Sequence, residues 1–205
     1  SEAMVGQKRR VDLLASADIR GGHAIVDVNG RFGEKDRIVF KLDSEPDRNK
    51  FELALTYDAP KDGVIATLAG AKSDIKARIA GRGGWTQWNG YAFATQDDKT
   101  LAAFQLETRS GVYKLAGQAW PGDMLKGIAG RAVGQTLSVV YDGTFADNTF
   151  DGKLAVAGEA FKVAAAGKLD LANNQADALK VRALVLRPDR LIAAPELANV
   201  ALSAT

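Results

Sequence analysis

The residue types best suited to chemistry are sparse in this chain. His23 is its one histidine, and there is no cysteine. One imidazole without thiolates leaves a zinc site short of its usual donors. A Ser/His/Asp triad would have to run through His23, and no G-x-S-x-G elbow accompanies it. Lying after Gly21-Gly22, His23 reads as a surface residue beside a turn. The carboxylates are scattered: Asp43, Glu45 and Asp47, then Asp97-Asp98, then Asp142, Asp147 and Asp151. The stretch from Asp43 to Asp47 (DSEPD) lacks the alternating ligands and central glycine of a calcium loop. No single pair of acids stands out for glycoside hydrolysis. Gly81–Gly84 (GRGG) has no G-K-[ST] ending and no following helix to present an N-terminus to phosphate. It reads as a turn or bulge. We expect no catalytic residue, no metal site and no cofactor, so the chain is read as a non-enzyme.

The stronger signal is periodic. Phe51, Leu53, Leu55 and Tyr57 alternate with polar or small residues, as do Leu154 and Val156, then Phe161 and Val163, then Val181 and Val185. Period-2 alternation puts one set of side chains on one face of a pleated strand. Between Phe150 and Leu186 the runs are separated by turn residues at Asp151-Gly152, Gly158-Glu159, Gly167-Lys168 and Asn173-Asn174. No gap is long enough for a crossover helix, so these strands are antiparallel.

Earlier strands are expected at Val11–Ile19, at His23–Val28 before an Asn29-Gly30 hairpin turn, and at Arg37–Asp43, Phe51–Tyr57, Val64–Leu68, Ile75–Ile79, Leu101–Glu107, Val112–Trp120 and Leu137–Asp142. Pro121–Ile128 is the one helical turn expected, with Pro121 as its first residue. A last strand is expected near residues 200–202. Trp85, Trp88 and Trp120 read as core or strand-edge anchors, or as the lining of a greasy site.

Composition narrows the class. A net charge of +2 over 205 residues, with no basic stripe interleaved with aromatics, gives no reason to invoke nucleic acid. The 21 glycines exceed the average of about 7% and fit many hairpins. No run approaches the ~20 apolar residues of a membrane helix. Residues 1–4 (SEAM) read as a cloning remnant. Residues 5–205 read as a single elongated β domain, a piece of a longer chain.

Taken in order, GRGGWTQWNGYAFA, SGVYKLAGQAWPGDMLKGIAGR, FKVAAAGKLDLANN and VRALVLRPDRLIAAPELANVALSAT resemble the repetitive periplasmic region of TamB-type proteins, within the AsmA-like group. The likeness runs from about Val11 to Thr205 and is closest to alphaproteobacterial chains. It implies a long curved antiparallel sheet, a β-taco around an open groove with a hydrophobic interior. It also implies a parent chain anchored in the inner membrane, a periplasmic location, an outer-membrane barrel partner reached through the parent chain, and phospholipid acyl chains as ligand. Roles in phospholipid transport to the outer membrane and in outer-membrane protein assembly follow from the same likeness.

On this reading the groove is lined by Phe51, Leu53, Leu55, Leu154, Val156, Phe161, Val163, Val181 and Val185. Alternation leaves a second architecture open: a closed β-sandwich, a structural or interaction module with a filled core and no lipid. An enzyme of jelly-roll type would need clustered carboxylates and aromatics near Trp85 and Trp88.

Overall fold

The computed structural model describes residues 2–5, 9–146, 148–173, 175–192 and 202–204. The chain forms two compact units, Ser1–Ala103 and Phe104–Thr205. Both are antiparallel sheets whose strands follow one another in chain order.

The first unit holds β1 (Glu2–Val5), β2 (Arg9–Arg20), β3 (His23–Phe32), β4 (Asp36–Glu45), β5 (Lys50–Ala59), β6 (Ile75–Gly83) and β7 (Gln87–Gln96). β8 (Lys99–Arg109) carries the boundary between the units. The second unit continues with β9 (Val112–Ala119), β10 (Leu137–Ala146), β11 (Thr149–Ala157), β12 (Phe161–Asp170), β13 (Gln175–Val185) and β14 (Leu202–Ala204). Residues 2–5 pair with β2. Residues 200 and 201 of the expected last strand lie outside the described residues, as do Asp147 and Asn174.

The all-β expectation holds, with little helix. The helices are α1 (Val64–Ala69), α2 (Gly127–Val133) and α3 (Pro188–Ile192), with single 3-10 turns at Pro46–Arg48 and Gly122–Met124. The helical turn expected at Pro121–Ile128 is resolved into the 3-10 turn and the start of α2. The strand expected at Val64–Leu68 is α1 instead. Its β-branched residues favour a strand, but its ends are made for a helix. Gly70 takes a left-handed φ of 67° at the C-terminus, with its N–H bonded to the Ala66 and Thr67 carbonyls. At the N-terminus the Asp36 carboxylate accepts from Val64 N and Ile65 N, each at 3.0 Å. Among the described residues, no helix is long and apolar enough to cross a membrane.

Three glycine turns expected from the sequence are strand interiors. Asn29-Gly30 lies within β3, Asp151-Gly152 within β11 and Gly167-Lys168 within β12. A Cβ on Gly30 would lie 2.4 Å from Leu13 Cδ2 and 2.7 Å from Ile38 Cγ2, so this glycine makes room for apolar neighbours rather than turning the chain. Gly152 sits between Gly143 and Gly167 in register. The β12–β13 ladder shifts register between Ala166 and Lys168, a local bulge.

The core is small and sits where helices meet strands. Among the described residues the buried apolar side chains are Val11, Ala59, Ala66 and Ile75 in the first unit, and Val133 and Ala160 in the second. Ala66 belongs to α1 and Val133 to α2. Most large apolar side chains on the strands are only partly covered.

Candidate functional site

Cross-strand register decides which side chains share a face, because directly paired residues project to the same side. In the first unit one row runs Val26, Leu42, Leu53, Gly81, Gly90, and the next Val28, Phe40, Leu55, Ile79, Ala92. Phe51 belongs to the same face, in the row Ala24, Ser44, Phe51, Gly83, Trp88. The intervening row, on the opposite face, reads Asp27, Lys41, Ala54, Ala80, Tyr91. The first unit therefore has one apolar and one polar face, and Phe51, Leu53 and Leu55 lie on the apolar one.

The second unit repeats the arrangement. Leu115, Tyr141, Leu154, Ala165 and Val181 form one row, and Gly117, Val139, Val156, Val163 and Ala183 form the next. Phe161 pairs with Val185. Leu154, Val156, Phe161, Val163, Val181 and Val185 are thus brought together on one face. Several members are strongly exposed for their type: Leu154 is 41% and Val181 47% accessible.

Other members of these faces escaped the sequence reading. Phe145 and Phe150 are cross-strand partners with ring centroids 4.5 Å apart. Trp88, read as an anchor or as the lining of a greasy site, lies flat on the sheet. A Cβ on Gly81 would meet its ring at 2.1 Å, and one on Gly90 at 2.4 Å. Phe51 stands 5.0 Å from the Trp85 ring and 6.4 Å from the Trp88 ring, centroid to centroid. Tyr141 plays the same part over Gly143 and Gly152, where added Cβ atoms would lie 2.6 Å from its hydroxyl oxygen and 3.2 Å from its ring, respectively. The signal for both was a strand glycine with an aromatic two residues away or on the facing strand.

The depressions lie mainly on the other faces. In the second unit a depression of about 780 Å³ is framed by Val140, Asp142, Lys153, Ala155, Ala164, Ala166, Lys180 and Arg182 opposite the apolar rows, together with Leu154, Ala165, Leu179 and Val181. In the first unit one of about 750 Å³ includes Asp27, Lys41, Glu52, Arg78 and Tyr91, again on the polar face.

His23 is better furnished than its sequence surroundings suggested. Its Nε2–H donates to Asp43 Oδ1 at 2.8 Å, and Glu45 Oε1 stands 3.9 Å away. These three groups lie close enough to share a cation. The Lys50 ammonium already supplies the positive charge, 2.8 Å from Asp43 Oδ2 and 3.5 Å from Glu45 Oε1. The Lys50 and His23 hydrogen bonds hold the Asp43 carboxyl below its ordinary range. Chiefly through its bond to Asp43, the Lys50 ammonium is held above its own. The cluster is a polar clasp across the adjoining ends of β3, β4 and β5.

Comparison with protein-family models, with curated proteins and with solved structures returns no match. The functional reading therefore rests on the faces themselves and on the sequence resemblance.

Proposed function

We propose that this chain is a non-enzymatic, periplasmic segment of a TamB-type envelope protein, and that its apolar sheet faces hold phospholipid acyl chains. The observation that carries the reading is the segregation of side chains by register. In each unit one face is built mainly of Leu, Val, Ile, Phe, Ala and Gly; in the first unit its large side chains are half-buried, and in the second Leu154 and Val181 are left exposed. An uncovered apolar sheet face of this extent marks a binding surface. Burying each methylene of an acyl chain contributes about 0.8 kcal/mol, so a chain can be retained without any polar pocket. Along a row of near-equivalent aliphatic contacts it can also slide.

Inner-membrane anchoring of the parent chain, engagement of an outer-membrane barrel partner, and roles in phospholipid movement and outer-membrane protein assembly enter with the resemblance and form part of the same proposal. The rival closed sandwich needs a dry core filled between two layers. The small number of buried apolar side chains supports the open reading over it.

Photo-crosslinking from Leu53, Leu154 and Val181 in bacterial envelopes tests the reading, with Glu52 and Lys162 as opposite-face controls. Lipid adducts from the first set alone are expected. Equal labelling of both sets would sink the proposal.

A further inference from the structure

The polar clasp of the first unit gathers a mixed set of donors. His23 opens β3, and Asp43 and Glu45 lie at the end of β4. All three project from the face opposite Phe51, because Ala24, Ser44 and Phe51 form the row between them. One imidazole nitrogen and two carboxylate oxygens lie within 4.8 Å of one another. His23 Nε2 stands 2.8 Å from Asp43 Oδ1 and 3.9 Å from Glu45 Oε1. A tetrahedral zinc ion with bonds of about 2.0–2.1 Å holds its donors about 3.4 Å apart, between those two separations.

Each carboxylate is also held by its other oxygen. Asp43 Oδ2 accepts from Lys50 at 2.8 Å, and Glu45 Oε2 stands 3.1 Å from Arg48 Nη1. Oδ1 and Oε1 are left facing the imidazole. Outer partners of this kind orient the ligands of a metal site. The local charge admits a cation. Arg20, the cross-strand partner of His23, is balanced by Asp18 at 2.8 Å. Asp47 lies over Gly22, where a Cβ would stand 2.9 Å from its Oδ2. Asp43, Glu45 and Asp47 thus face only Lys50 and Arg48.

We propose that His23 Nε2, Asp43 Oδ1 and Glu45 Oε1 bind a divalent transition cation of the zinc class, with water completing the shell. An imidazole among the donors favours Zn2+ over Mg2+ and Ca2+, which take oxygen. Zinc replaces the Nε2 proton, and the ring passes to its Nδ1–H tautomer. The hydrogen bond from His23 to Asp43 then becomes two bonds to one ion, tying the start of β3 to the end of β4. The Lys50 ammonium, 3.5 Å from Glu45 Oε1, swings aside on its flexible stem, and its charge opposes the ion. The site lies on the face away from the proposed lipid contacts and does not depend on them.

The test is calorimetric titration of the whole chain, first stripped with a chelator, with Zn2+ alone and with Zn2+ in about a hundredfold excess of Mg2+. One Zn2+ per chain is expected in both. His23→Gln and Asp43→Asn should each weaken binding by about tenfold or more, and Lys50→Met should tighten it by about tenfold, because an opposing charge is gone. These side chains are partly exposed, and an unchanged far-ultraviolet circular dichroism spectrum would show that each variant folds. X-ray absorption at the zinc edge should show one imidazole in an otherwise oxygen shell, lost in His23→Gln. An adventitious ion only, without saturation at one per chain, would overturn the proposal. So would displacement by Mg2+, affinity unchanged in His23→Gln, or affinity not raised in Lys50→Met, since an ion bound here must feel that ammonium.

Discussion

Asp36 is fully buried, and its two oxygens serve three donors: Val64 N, Ile65 N and, at 2.8 Å, the Tyr57 hydroxyl. Gly63 permits the approach, since a Cβ there would lie 1.8 Å from Asp36 Oδ1. Burial, and then the neighbouring Asp36 carboxylate, push the Tyr57 phenol up, so it remains a donor across the physiological range. Asp36→Ala would strand all three donors. We expect it to cost about 2–4 kcal/mol, read as a lower urea midpoint, with Asp36→Asn losing less because one acceptor remains. None of this was legible in the sequence. Asp36 is one of 25 acids, and its role depends on amides 28 and 29 residues away.

The partners of His23 were hidden for a similar reason, because Asp43 becomes its neighbour only through strand register. The clasp there has a definite pH signature. Asp43 is held below its ordinary 3.8, so its contribution is present above that value and is lost as pH falls through the lower folded value. Lys50 is held above its ordinary 10.5, so its contribution is full below that value and is lost only as pH rises through the higher folded one. The stability difference between the wild type and Lys50→Met should thus be flat from about pH 5 to about pH 9 and should shrink toward about pH 2. A difference unchanged at the acid end would show that the pair contributes nothing.

At the scale of elements, alternation was a good guide wherever one face of a strand is polar. Phe51–Tyr57, Phe161–Val163 and Val181–Val185 all fall in strands with the expected residues facing together. Glycine was the poor guide. Gly30 and Gly152 were taken as turns because glycine tolerates turn geometry, yet here they admit a neighbour's side chain or backbone. Helix α1 was missed because VIATLA carries strand propensity, whereas its ends are fixed by Gly70 and a remote carboxylate. Gly70 separates the two influences. A Cβ there would meet nothing within 4 Å, so only its left-handed backbone opposes substitution. Gly70→Ala should cost about 1 kcal/mol, visible in the urea midpoint with the slope unchanged. A neutral substitution would mean that Asp36 alone holds α1.

At the scale of the whole molecule, a sheet with one uncovered apolar face has an unusual response to charge. In a filled core, an aspartate in place of leucine leaves an unpaired buried charge and unfolds the protein. On a face where Leu154 is 41% and Val181 47% accessible, the carboxylate can reach water. Leu154→Asp and Val181→Asp should therefore lower the lipid-free thermal midpoint only slightly. Their effect should appear when a short-chain phosphatidylcholine is added. A ligand that binds only the folded state stabilises it by about 2.7 kcal/mol at a hundred times its dissociation constant. The wild type should gain an upward midpoint shift that grows with lipid concentration, and the two variants should lose most of it. Lys162→Asp, a charge change on the opposite face, should leave the shift intact. If Leu154→Asp instead collapsed the lipid-free protein, the face would be a covered core, and the closed module would replace the lipid-binding one. If all three variants kept the full shift, the lipid would sit elsewhere. On the proposed reading, folding and lipid binding are separable on this face, because the same residues are asked to do little for the first and most of the second.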